Sequence, residues 1–203
     1  METKTIIIMI VIGIIAVFIA VQLVRSYFSK GKTAERKTAK VLRKVSKGDK
    51  VRIMNNVYLP LYNKTCEIDH LVFGRFGILV VETKGISGSI SGSGKNLVHK
   101  IGTKTHKLYN PELQNKTHID NVIHHLKKGG FGNTPVYGAV VFTDDSLQRD
   151  TKIGMSVNEF KKFYDKIPQH DCNQDALFHH FQKLCVRNPL KKLLHKFSRK
   201  DWD

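Results

Sequence analysis

The apolar positions of the chain fall into runs whose spacing predicts its elements. From Thr5 to Val24 there is no charged residue, and Gln22 is the one strongly polar side chain. About 20 residues of helix reach about 30 Å, the thickness of a bilayer's hydrocarbon core. The run is longer than the apolar part of a signal peptide and lacks a small-residue cleavage site, so it predicts a retained transmembrane helix. Between Lys32 and Lys47, Ala34, Thr38, Val41, Leu42 and Val45 recur at helical spacing, and Gly48-Asp49 supplies a stop.

Val51 to Leu59 has the character of a strand, ended by Pro60. Cys66 to Phe73 and Ile78 to Lys84 are two β-rich runs separated by Gly74-Arg75-Phe76-Gly77, which predicts an antiparallel hairpin. Asn110 followed by Pro111 reads as an N-cap and first helical position, opening a helix to about Lys128. Its apolar stripe is Ile119, Val122, Ile123 and Leu126, with Gln114, His118 and Asn121 on a polar stripe beside it. Val136 to Phe142 is a buried strand, and Thr143 to Ser146 a loop. Leu190, Leu193, Leu194 and Phe197 then mark a terminal basic amphipathic helix.

The order of elements predicts one α/β unit without internal repeats. Its organisation is an anchor at 1–28, a central domain at 29–150 and a helical extension at 151–203. Formal net charge is +17, which favours polyanionic partners: nucleic acid or anionic lipid headgroups. From Arg25 to Pro60 there are 11 basic and 2 acidic residues, just beyond the apolar run and against Lys4 alone before it. The positive-inside rule therefore places the N-terminus outside and the domain in the cytoplasm, with lipid attraction available to the basic stretch. Cys66, Cys172 and Cys185 are odd in number, with no C-x-x-C spacing, which argues against a disulfide framework.

Chemistry concentrates on the hairpin. A two-residue turn pairing Gly74 with Gly77 puts Phe73 opposite Ile78, Leu71 opposite Val80, and Asp69 opposite Glu82. Carboxylates on directly opposed residues repel unless a cation or proton intervenes. Lys84 lies two residues beyond Glu82 and so shares its face. Two acids and an amine at one point suit phosphodiester hydrolysis assisted by a divalent metal, and they also suit an ordinary surface contact.

Three segments carry a resemblance to a known family: Glu67-Ile68-Asp69-His70; Gly77-Ile78-Leu79-Val80-Val81-Glu82-Thr83-Lys84; and Asn110-Pro111-Glu112-Leu113-Gln114. In this order the chain resembles the NERD family, the nuclease-related domain, over roughly Lys32 to Ser146. The family is placed among the PD-(D/E)XK nucleases, so the resemblance implies a restriction-endonuclease-like core, a mixed central sheet flanked by helices. It implies that Asp69 and Glu82 bind the metal, Mg2+ or Mn2+, and that Lys84 is the catalytic lysine. Glu35 matches an early acidic position as a further metal-site carboxylate, and Gln114 looks like an accessory glutamine. The family's tryptophan after the lysine strand is missing, since Trp202 is the single tryptophan, and Ala34 stands where a glycine adjoins the early glutamate.

The expectation is a membrane-anchored, metal-dependent nuclease acting on DNA, with RNA as the second choice, at the cytoplasmic face. The alternative is a non-catalytic tethered module that binds nucleic acid or protein on a nuclease-like fold.

Overall fold

The computed structural model describes residues 2–62, 64–186 and 188, with 2–8, 20–21 and 23–30 as backbone only. The first helix, α1, runs Glu2–Val45. Strand β1 (Arg52–Leu61) leads into β2 (Lys64–Gly74) and β3 (Gly77–Lys84). Then come β4 (Ser89–Ser91), β5 (Asn96–Ile101), β6 (Lys104–Tyr109), and helix α2 (Pro111–Lys128). The chain continues through β7 (Val136–Phe142), β8 (Gln148–Asp150), β9 (Met155–Ser156), α3 (Val157–Tyr164) and α4 (Gln174–Leu184).

The strands form two sheets, ordered β1-β2-β3-β7-β9 and β6-β5-β4-β8. In the five-stranded sheet β1, β2 and β3 are antiparallel, while β7 joins β3 in parallel and β9 joins β7 in parallel. This is a mixed α/β fold, with mixed sheets flanked by helices. One face of the larger sheet buries Leu59, Phe73, Val80, Val122, Leu126 and Phe181 under α2 and α4. The other buries Leu42, Val72, Leu79, Val81, Phe160 and Tyr164 under α1 and α3. Burial on both faces explains why β3 reads as an almost continuous apolar run.

The β2–β3 turn has the register its glycines predict, with Gly74↔Gly77, Phe73↔Ile78 and Leu71↔Val80. Gly77 adopts φ 107°, and a Cβ there would stand 2.2 Å from the Pro135 carbonyl oxygen, so both backbone conformation and space demand glycine. Helix α2 is capped as expected: the Asn110 side chain accepts the Glu112 N–H at 2.9 Å and Pro111 is first in the helix. Along α1, Ala34, Thr38 and Leu42 form the buried face, one turn apart.

Several features depart from the sequence reading. Strand β1 does not stop at Pro60 but continues to Leu61, because it is an edge strand in which a missing N–H costs no ladder bond. The four-stranded sheet, built from short segments rich in Gly, Ser and Lys, was not foreseen. Beyond residue 150, β9 extends the central sheet, α3 packs on one face and α4 on the other. The expected terminal helix at 187–203 lies outside the described residues, apart from Asn188.

Among the described residues no helix is long and apolar enough to cross a membrane, and the span expected at 5–24 finds no support there. That span includes residues described as backbone only. Within it, Ile10, Ile12, Ile14 and Phe18 are each more than half exposed.

Candidate active site

Strands β2 and β3 are regularly paired from their turn as far as His70↔Val81, and the ladder ends there. One step beyond stand Asp69 and Glu82. Instead of continuing the ladder, the Asp69 carboxylate accepts the Thr83 backbone N–H at 2.7 Å. A second irregularity sits at the same level. Asn56, the β1 residue between two ladder pairs, has φ 52°, and it has no ladder partner across from Asp69. Below this point Cys66 and Ile68 reach the core cluster under α2, and above it Leu71 and Phe73 do, so the strand's alternation changes phase around Asp69. Such interruptions re-aim side chains and recur beside active sites.

Glu82 and Lys84 project toward α2. The Lys84 Nζ lies 2.8 Å from Glu82 Oε1 and donates to Gln114 Oε1 at 2.9 Å. One turn further along the helix, His118 Nε2 lies 3.2 Å from Glu82 Oε2. The match is geometric: residues two apart on a strand and four apart on a helix are both separated by about 6–7 Å, so α2 and β3 meet in two successive rungs. The next level down is the apolar contact of Val122 with the cluster containing Val80. On its other side His118 Nδ1 lies 3.0 Å from Cys66 Sγ. Asn115, between the two rungs, donates to the Val80 and Ala139 carbonyls and pins the helix across β3 and β7.

The electrostatics separate the two carboxylates. Burial opposes ionisation of Glu82, but the Lys84 ammonium and the His118 imidazole outweigh it and hold its carboxyl down at about 2. Burial likewise opposes charging of His118, yet Cys66 and Glu82 together raise it to about 10. Asp69 goes the opposite way: burial first, then the charges of Glu82 and Glu35, push its carboxyl well above the usual range, against the Thr83 N–H and Lys84. His70, buried behind the pair, is lowered to about 4 by desolvation.

Asp69, Glu82, Lys84 and Gln114 therefore come together. Glu35, on α1, reaches the group through its field on Asp69. Among the described residues no three His, Cys, Asp or Glu side chains are arranged as a ready metal-ligand cluster. The donor chemistry nonetheless fits a hard divalent cation, because two buried carboxylates, Asp69 and Glu82, lie close enough to repel one another. Helical spacing alone puts His118 on a polar stripe of α2 and says nothing of its contact with Cys66. The signal that could have raised His118 was its position four residues after Gln114, matching Glu82 two residues before Lys84.

An uncharacterized protein of Bacillus anthracis is 35% identical over 92 residues, which span 44% of this chain and 43% of that protein's length. The matched stretch is thus less than half of either protein. No solved structure matches the chain significantly. The model of the nuclease-related domain matches residues 30–143, more than half of the sequence, and includes the two rungs, Asp69 and Glu35. The chain belongs to the NERD family, the nuclease-related domain.

Proposed function

We propose that this protein is a metal-dependent nuclease that hydrolyses phosphodiester bonds of DNA, with its chemistry at the open end of the β2–β3 hairpin. The observation that carries this reading is the meeting of Asp69, Glu82, Lys84 and Gln114 at one point, where Lys84 and His118 hold Glu82 low while burial and the Glu82 charge raise Asp69. It fits a restriction-endonuclease-like core of the PD-(D/E)XK type. A divalent cation, Mg2+ or Mn2+, held by Asp69 and Glu82 with Glu35 as a further carboxylate, would withdraw charge from a phosphate oxygen and acidify an attacking water.

Within the chain, Gln114 and Glu82 fix the Lys84 ammonium in place, so that it either steadies the pentacoordinate phosphate or orients the water. The Thr83 N–H fixes one Asp69 oxygen. His118 aligns the far oxygen of Glu82.

The test is cleavage of end-labelled duplex DNA and RNA by the full chain with Mg2+ or EDTA. We expect EDTA-sensitive cleavage, reduced on the order of 1000-fold by Asp69→Ala. Equal cleavage by wild type and Asp69→Ala would discard the assignment. One observation favours a second reading, a binding module without catalysis: Glu82 already has two cationic partners, Lys84 and His118. That module would bind DNA equally well after Asp69→Ala and cleave none.

We propose further that α1 tethers the domain to a membrane, N-terminus outside and domain cytoplasmic, with basic residues near anionic headgroups. The support is the exposed apolar row Met9–Ile19 and the basic excess that follows. Deleting residues 1–26 should move the protein from the membrane pellet to the soluble fraction; a full-length chain already in the soluble fraction argues against the tether.

A further inference from the structure

The β5–β6 hairpin takes no part in the site just described, yet its charge is all of one sign. From Thr83 to Pro111 there is no Asp or Glu, while Lys84 is followed by Lys95, Lys100, Lys104 and Lys107. Five cations elsewhere, Lys37, Arg52, Arg75, Lys116 and Arg149, each face an Asp or Glu. Among the described residues none of the four hairpin lysines forms an ion pair. Unmatched cations gathered on one element are the charge complement of a polyanion.

The shape narrows the partner. Residues 100–107 are all exposed, so the end of the hairpin projects with both faces in solvent. Val98↔Lys107 and Lys100↔Thr105 are cross-strand pairs, which sets Lys100 and Lys107 diagonally on one face, about 7–8 Å apart at the backbone. On the same face Val98 is 41% exposed, apolar surface suited to base edges and sugars, and Ile101, 46% exposed, stands on the opposite face. A two-stranded ribbon fits the major groove of B-form DNA, about 12 Å wide, whereas the major groove of an RNA duplex is too narrow to admit side chains.

The ribbon is also tied to the site. Asn110 donates its backbone N–H to the Lys95 carbonyl at 3.0 Å and its side-chain amide to the Gly94 carbonyl at 2.7 Å. The same residue caps α2, and Gln114, one turn on, receives the Lys84 ammonium. The base of the ribbon thus stands about 6 Å of helix from a residue of the catalytic group.

We propose that the β5–β6 ribbon is the grip for double-stranded DNA, entering the major groove with Lys100 and Lys107 on the phosphates. This rests on the nuclease reading, and the experiment separates the two. Binding of a fluorescent DNA duplex to the full chain in mild detergent and EDTA is followed by anisotropy over a range of salt. Lys100→Glu with Lys107→Glu should weaken binding at least about tenfold and lower the salt slope by about 2, one ion-release step per lysine. The charge-matched control, Lys127→Glu with Lys128→Glu at the far end of α2, should change affinity less than about threefold. The Gln versions of Lys100 and Lys107 should give the same loss of slope without reversed charge.

An affinity unchanged in the ribbon variant, or lowered equally in the control, overturns the grip. So does a loss confined to an RNA duplex or to phosphatidylserine vesicles. A wild-type chain that binds no DNA overturns the nuclease reading together with the grip, whereas one that cleaves DNA with an indifferent ribbon overturns the grip alone.

Discussion

The two sheets place their charged residues in opposite environments. In the five-stranded sheet β3 is buried from Gly77 to Thr83, and the acid and amine near its end are ringed by α2. In the four-stranded sheet the exposed lysines of the β5–β6 ribbon form no ion pair among the described residues. Charges in a desolvated setting act strongly on one another, which is how Glu82 and Asp69 are driven apart in acidity within one hairpin. Charges in water act weakly on each other and on stability, but they remain available to a polyanion. The first environment suits chemistry on one bond and the second suits attraction of a whole polymer.

The contrast breaks most visibly at Glu82. Glu82→Gln strands the Lys84 ammonium and His118 without their buried anion and should cost about 3–5 kcal/mol in urea unfolding. A loss below about 1 kcal/mol would mean that the two rungs are as solvated as the ribbon. The pH dependence sharpens the same point. Glu82 is lowered from 4.5 to about 2, so its stabilisation is complete above 4.5 and disappears as pH falls toward 2. His118 is raised from 6.5 to about 10, so its contribution is complete below 6.5 and disappears as pH rises through about 10. Urea midpoints should therefore fall at both extremes, and Glu82→Gln should lose the acid limb.

Asp69 reverses the sign. Because its folded carboxyl is raised, its ionisation opposes folding at neutral pH. Asp69→Asn keeps an acceptor for the Thr83 N–H and should stabilise the fold by about 1 kcal/mol while abolishing cleavage. A destabilised Asp69→Asn would show that the Thr83 contact outweighs the repulsion. The smallest effect is expected on the ribbon, where Val98→Thr or Ile101→Thr should shift stability by less than about 0.5 kcal/mol.

The sequence reads most clearly where local rules decide the outcome. Gly74 and Gly77 bracket a two-residue turn, and the register that follows from them is the one found as far as His70↔Val81. Asn110-Pro111 opens α2 where capping chemistry places it. Beyond the ladder, local rules lapse. The interruption at Asn56 and Asp69 depends on three strands at once, and no spacing within one strand announces it. Cys66 and His118 meet across 52 residues through a helix crossing, which periodicity cannot supply. The second sheet is not legible in the sequence, because β4 has three residues and β8 three, too few for alternation to show.

The two-residue reversal at Gly74–Gly77 also fixes how this protein can change length. One residue added there would exchange the two faces of β3, bringing Val81 and Thr83 to the positions of the carboxylate and the amine. The ribbon's tip, Gly102-Thr103, is exposed, and the pairs next to it, Ile101↔Lys104 and Lys100↔Thr105, are exposed too, so extra residues at the tip lengthen a projecting arm. Insertions and deletions among relatives that keep the chemistry should therefore collect at the tip of the arm and leave the β2–β3 turn at constant length.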